Sequence, residues 1–174
     1  MILTQAQIAE VYGRPGDTTQ HVVLQLPYSF LLDWDLTQSV KRIICHKLIK
    51  DRLEKVFKDT LEYYGQQRIT ELGIDQYGGC FIHRPQRGYE NNYMAAIERN
   101  DHAGAIKYLS KHSWAVALDF DPNRNKLTET SKTARFARAE YAPWIEIWYD
   151  NGFLSYGREK NYDWMHFEIA TLKP

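Results

Sequence analysis

The most regular alternation of apolar and charged positions lies between Ile49 and Gly65. Ile49, Leu53, Val56, Phe57, Leu61 and Tyr64 recur three or four residues apart, with Lys50, Arg52, Lys55, Lys58 and Asp59 mostly on the other side. That period predicts a long helix backing a sheet, stopped by Gly65, its charges forming a solvated face. Upstream, Thr4 and Gln7 have the spacing of a capping box and open a short helix through Ile8, Val11 and Tyr12 that Gly13 ends. Arg14-Pro-Gly-Asp reads as a turn and His21-Val-Val-Leu-Gln-Leu as a short strand stopped by Pro27. Val40 to His46 is mixed and predicts a strand running straight into the long helix.

Downstream, Gly73 to Gly88 reads as turn, strand, turn, with the glycine pair before Cys80-Phe-Ile allowing a tight bend. Tyr89 to Tyr108 is polar with helical patches, Tyr93, Met94 and Ile97 falling at helical spacing, and reads as a surface insertion or flap. Val116 to Phe120 alternates as a strand, with Ala117 and Asp119 on one face and Val116, Leu118 and Phe120 on the other. The small Ala117 is expected to leave room beside Asp119. Pro122 to Lys132 is a loop bordering the cleft. Pro143 opens a helix holding Ile145, Trp148 and Tyr149 that Gly152 ends, and Asn161 to Ala170 closes the chain as a turn feeding a last strand. No internal repeat or low-complexity linker interrupts the 174 residues, which are expected to form one domain over 1–174.

Composition narrows the partners. Lys and Arg total 22, as do Asp and Glu, so no field of one sign recommends nucleic acid or an anionic membrane. Twelve tyrosines, seven phenylalanines and five tryptophans suit a compact, ring-lined fold, and a monomer is expected. Cys45 and Cys80 sit in apolar runs outside any zinc-type spacing and read as two buried thiols. The first residues lack the basic and apolar regions of a signal peptide, and no apolar run approaches bilayer-spanning length. Synthesis in the cytoplasm is expected, with release or delivery needed if the substrate lies outside.

Two stretches carry the chemistry. Ser110-Lys-His-Ser-Trp-Ala-Val-Ala-Leu-Asp119 supplies a histidine and a carboxylate seven positions apart at the start of a strand. Asp163-Trp-Met-His166 supplies a second histidine with a carboxylate three positions before it. His112, Asp119 and His166 make a three-ligand set that suits zinc and leaves a fourth tetrahedral position for water, as a hydrolytic site requires. Imidazole ligands favour zinc over magnesium or calcium. Zinc lowers the pKa of bound water to about 7 and polarises a carbonyl, but peptide hydrolysis also needs a proton carrier. Asp163 is placed for that if Asp163-Trp-Met is a turn, since in an extended strand positions 163 and 166 face opposite ways. Glu168 is the rival; sharing a face with His166, it is better suited to a hydrogen bond behind the ligand. Arg84 offers a planar donor for a carbonyl oxygen or a substrate carboxylate. Taken singly, His112 reads as a loop histidine bonded to Asp119, and His166 as a core histidine. His46 and His83 read as structural, and Trp114, Trp148 and Trp164 as core or groove wall before sugar platform.

Ser110-x-His112-x-x-x-x-Ala117-x-Asp119 followed by Asp163-x-x-His166 resembles the zinc peptidases of the D-alanyl-D-alanine carboxypeptidase and L-alanyl-D-glutamate endopeptidase family, phage endolysins among them. The resemblance extends back through Tyr77-Gly-Gly-Cys80, Arg84 and Arg87-Gly88 to Lys41-Arg-Ile and the first helix. It implies zinc on His112, Asp119 and His166, and Asp163 rather than Glu168 as general base and acid. It also implies Arg84 stabilising the charged intermediate and Ser110 lining the substrate site. The implied fold is α+β, hedgehog-like, with helices packed on a small antiparallel sheet that carries the metal. Two features depart from the pattern: Ala115 stands where the family has glycine, and the link from Tyr89 to Tyr108 is longer than usual.

The function this implies is hydrolysis of peptidoglycan stem peptides, foremost between L-Ala and D-Glu, as in a phage lysis enzyme or an injected effector. A D-Ala-D-Ala carboxypeptidase or dipeptidase shares every catalytic residue. An inactive wall-binding or phage structural domain is disfavoured, because ligands and base are all present.

Overall fold

The computed structural model describes residues 1–173. Thr4 does cap the first helix, α1 (Gln5–Tyr12): its hydroxyl accepts from the Gln7 amide while the Gln7 side chain accepts from the Thr4 amide, and Gly13, at φ 81, ends it. Two long strands follow, β1 (His21–Leu32) and β2 (Asp35–His46). β1 does not stop at Pro27. Its pairing with β2 breaks register between Gln25 and Phe30, which puts the proline at an irregularity where no ladder bond is required of it.

A short 3₁₀ turn leads into α2 (Lys50–Leu72). Gly65, predicted to stop this helix, only interrupts it, at φ 73 and ψ 159. Helix resumes because Ile69 and Leu72 still bury on the same side, and Gly73, left-handed at φ 71, makes the true end. Strand β3 (Gln76–Gly79) precedes the Tyr89 to Tyr108 segment, which folds into α3 (Glu90–Glu98), α4 (His102–Ala105) and a 3₁₀ turn. The Tyr89 and Tyr108 rings stack at its base with centroids 6.0 Å apart.

The rest of the chain builds the far half of the sheet: β4 (Ala117–Phe120), α5 (Ala142–Asp150) with its proline in the first turn, β5 (Phe153–Ser155), α6 (Tyr156–Lys160) and β6 (His166–Ile169). The sheet order is β2-β1-β3-β4-β6-β5. The architecture is α+β, six helices against a mixed sheet that is antiparallel except where β1 and β3 run parallel through Leu31 and Leu32. The parallel pairing arises because α2 carries the chain back along the sheet between these two strands.

One face of the central strands makes the core. Phe120 of β4 packs among Phe30, Phe57, Trp144, Trp148 and Phe167, and Phe167 of β6 stacks on Trp148 at 4.7 Å. Each of these fully buried rings contributes about 1.5–3 kcal/mol relative to exposure, so this face anchors β4 and β6 and frees the other for polar chemistry. Cys45 and Cys80 are buried, unbridged thiols, as expected. Among the described residues no helix is long and apolar enough to cross a membrane.

Candidate metal centre and cleft

The polar face of β4 and β6 is set by their ladder. Asp119 lies directly across from His166, and Ala117 across from Glu168. Side chains two apart on a strand share a face, so Asp119, His166 and Glu168 project together on the side away from Phe120 and Phe167. On the other flank of β4, Asp119 faces β3, where a Cβ on Gly78 would lie only 3.1 Å from that of Asp119. The glycines of Tyr77-Gly-Gly thus let β3 approach the carboxylate closely.

His112 arrives from a buried 3₁₀ turn, Lys111–Trp114. Ser110 caps this turn by accepting from the His112 amide at 3.4 Å, so its structural part is as much to hold His112 as to line the cleft. The turn closes at Ala115, left-handed at φ 54 and ψ 39, whose amide donates to the His112 carbonyl at 3.0 Å. The position that carries glycine in the family pattern does demand a positive φ, and alanine adopts it at a cost of about 1–2 kcal/mol.

The three predicted ligands converge. Asp119 Oδ1 is 3.2 Å from His112 Nε2 and 3.0 Å from His166 Nδ1, and the three donor atoms lie within 4.8 Å of one another. The far nitrogens fix the tautomers. His112 Nδ1 donates to the Cys80 carbonyl at 2.8 Å, and His166 Nε2 donates to Glu168 Oε2 at 3.1 Å. Each ring therefore turns its other nitrogen toward Asp119, as a metal ligand with a supporting partner behind it does.

The electrostatics agree. Burial alone would push the Asp119 carboxyl up, but the two imidazoles hold it well below the usual carboxylate range. Burial would lower His166, but the hydrogen bonds it donates to Asp119 and Glu168 push its pKa up to about 10. Desolvation likewise opposes ionisation of Glu168, yet His166 and Lys111 bring its pKa down. A place that keeps a carboxylate charged and an imidazole protonated stabilises positive charge between them. Two imidazole nitrogens and one carboxylate oxygen, without thiolates, fit a divalent ion such as zinc and leave coordination positions open.

Asp163 takes up the predicted turn. It is left-handed at φ 56, its amide donates to the Leu127 carbonyl at 2.9 Å, and its carbonyl accepts from the His166 amide at 3.1 Å. Its carboxyl opens onto the same cleft as His112, Asp119 and His166, with its pKa raised by burial against the opposing pull of His166. Arg84 also lines the cleft. Its carbonyl accepts from the Ser110 amide at 3.0 Å, and Ser113 Oγ contacts both its amide and its carbonyl at 3.2 Å. The guanidinium donates to the Pro85 carbonyl at 3.0 Å.

The cleft has a volume of about 340 Å³ and brings together all six predicted site residues. Arg87, Tyr89, Tyr156 and Tyr162 also form its walls. Ala117 shares the face of Asp119, and the ladder places it opposite Glu168. Three residues escaped the sequence reading. Cys80 acts through its backbone carbonyl, which no side-chain motif reports. Ser113 is a serine among many, and nothing in the sequence pairs Lys111 with Glu168.

No curated protein matches the chain. Residues 103–169, the segment that carries His112, Asp119, Asp163 and His166, match the family model described as D-alanyl-D-alanine carboxypeptidase, which bears out the resemblance read from those residues and supports a peptidase.

Proposed function

We propose that this protein is a single-domain, monomeric zinc endopeptidase of peptidoglycan stem peptides, cutting between L-Ala and D-Glu. The observation that carries the reading is the meeting in one cleft of the His112, Asp119, His166 cluster with Asp163, Arg84 and Arg87. The L-Ala to D-Glu bond has a free α-carboxylate on the residue that follows it and further carboxylates beyond. With Arg84 turned to the scissile carbonyl oxygen, Arg87 is the cleft arginine left to meet the α-carboxylate beside that bond.

His112, Asp119 and His166 hold the zinc, which when bound supplies Lewis acidity to the scissile carbonyl and acidifies water. Asp163 takes a proton from the attacking water as the water oxygen bonds to the carbonyl carbon, then delivers it to the departing amine nitrogen as the C–N bond breaks. The raised pKa of its carboxyl brings it nearer the range in which one group can do both. Arg84 donates to the carbonyl oxygen as negative charge develops there, held at the cleft wall by Ser110 and Ser113. Action on the cell wall requires release or delivery of the folded protein.

The alternative is the activity in the matched family's description, removal of a terminal D-Ala. Mass spectrometry of purified stem peptide after incubation with the zinc-loaded protein separates them. Products ending at L-Ala are expected; loss of the terminal D-Ala alone would move the protein to the carboxypeptidases, and no cleavage would overturn both.

A further inference from the structure

Lys111 and Glu168 form an ion pair in the part of the molecule where one is least expected. Their side chains are 6% and 2% exposed, and Lys111 Nζ lies 2.5 Å from Glu168 Oε1. Taking both charges out of water costs more than most such pairs return, and apolar residues of similar volume commonly serve stability as well or better. The pair therefore asks for a reason other than holding the fold together.

The second carboxylate oxygen supplies it. Glu168 Oε2 accepts from His166 Nε2 at 3.1 Å, and the opposite ring nitrogen, Nδ1, faces Asp119 Oδ1 at 3.0 Å. We infer that Lys111 and Glu168 are positioning residues for the metal ligand His166: Glu168 fixes its tautomer and ring orientation, and Lys111 holds the Glu168 carboxylate in place. The inference rests on the zinc reading of the cluster above.

Three features of the fold support it. The Glu168 side chain has room because its cross-strand neighbour is Ala117. Lys111 immediately precedes His112 on the same 3₁₀ turn, so the ion pair ties the element that carries one ligand to the strand that carries another. The two histidines are also supported unequally. His112 donates to a neutral backbone carbonyl, which needs no counter-charge, whereas His166 donates to a carboxylate, which makes it the more basic ligand and leaves a buried negative charge to be balanced. Lys111 is the cation in contact with that carboxylate.

The test uses the full chain and three variants, Glu168→Gln, Lys111→Met and the double variant. Zinc affinity is measured by competition with a chromogenic chelator, the visible spectrum with cobalt in place of zinc, and stability by thermal melting. Glu168→Gln keeps an amide oxygen for His166 but not the charge, and is expected to weaken zinc binding by about 10–100-fold and shift the cobalt bands. Lys111→Met is expected to weaken zinc to a similar degree. Because it strands a buried carboxylate and can fail to fold, the double variant decides: with no buried charge left it is expected to fold, and to bind zinc no more tightly than Glu168→Gln. A double variant that binds zinc as the wild type does, with an unchanged cobalt spectrum, would show that the pair serves the fold alone and overturn the inference. Wild-type protein that binds no zinc would instead overturn the metal reading itself, and this inference with it.

Discussion

Gly157→Ala is a change whose sign the local and tertiary arguments dispute. Gly157 lies inside α6, where alanine is favoured over glycine by about 0.8–1.0 kcal/mol, so helix propensity expects stabilisation. The tertiary contact says otherwise. A Cβ at 157 would lie 2.2 Å from Trp164 Cδ2, 2.4 Å from Cγ and 2.7 Å from the Trp164 Cα. The first distance is about 1 Å short of ordinary van der Waals contact, and the last is to main chain, so turning the indole does not relieve it. Over-packing costs about 1–3 kcal/mol, and a clash this close to main chain belongs at the upper end, about 2–3 kcal/mol, which outweighs the propensity gain and leaves a net loss of about 1–2 kcal/mol. For a chain of this size each kcal/mol moves the melting midpoint by about 2–4 °C, so a fall of about 2–8 °C is expected in thermal denaturation. Because Trp164 sits between Asp163 and His166, displacing its backbone by about 1 Å is also expected to lower peptide hydrolysis on the order of 100-fold. A variant with an unchanged or higher midpoint and full activity would refute the packing of α6 on the Asp163 turn.

Asp163→Asn keeps the left-handed turn, which asparagine tolerates, and removes only the proton carrier; kcat/KM is expected to fall by about 10²–10⁴ with zinc content unchanged, and loss of zinc would count against the assigned role. Ala115→Gly and Ala117→Gly each remove a buried methyl, but only the first relieves a left-handed alanine. In urea denaturation Ala115→Gly is expected to cost about 1–2 kcal/mol less than Ala117→Gly, and equal costs would exclude strain at 115. Asp75 is buried, one carboxylate oxygen has no partner, and desolvation raises its pKa above the unfolded value near 3.9. The native state then holds the Asp75 proton after the unfolded state has released it, so this group makes stability fall as pH rises from about 4 toward its folded pKa. The difference in stability between wild type and Asp75→Asn is expected to show that fall, and a flat difference would mean that Asp75 titrates normally.

What the sequence disclosed was mostly local. The Thr4 and Gln7 box, Pro143 at a helix start and the turn at Asp163 each depend on a few neighbouring residues, and each is present. The His112, Asp119, His166 cluster was legible through the full pattern Ser110-x-His112-x-x-x-x-Ala117-x-Asp119 with Asp163-x-x-His166, since a single histidine and aspartate seven apart recur by chance. Misreadings came where tertiary contacts overruled local signals. Pro27 and Gly65 are ordinary stop signals, but β1 passes the first at a register break, and burial of Ile69 and Leu72 restarts the helix after the second. Of the partners behind the cluster, Glu168 was legible because it shares a strand face with His166, whereas the Cys80 carbonyl has no side-chain signature and only the fold sets Lys111 against Glu168.

The alternation along β6 has a further consequence, for how this segment tolerates change. His166 and Glu168 serve the cleft, while Phe167 and Ile169 serve the core. Inserting or deleting one residue between Lys160 and His166 would, if the strand slipped by one to compensate, present two aromatic or aliphatic side chains to His112 and Asp119 and two ionisable ones to Trp148. Stability and chemistry would fail in the same event, and neither could be restored by a second substitution elsewhere. Length variation in this chain is therefore far easier to accommodate in the Tyr89 to Tyr108 insertion, where an added residue shifts no strand, than in the short turn that carries Asp163.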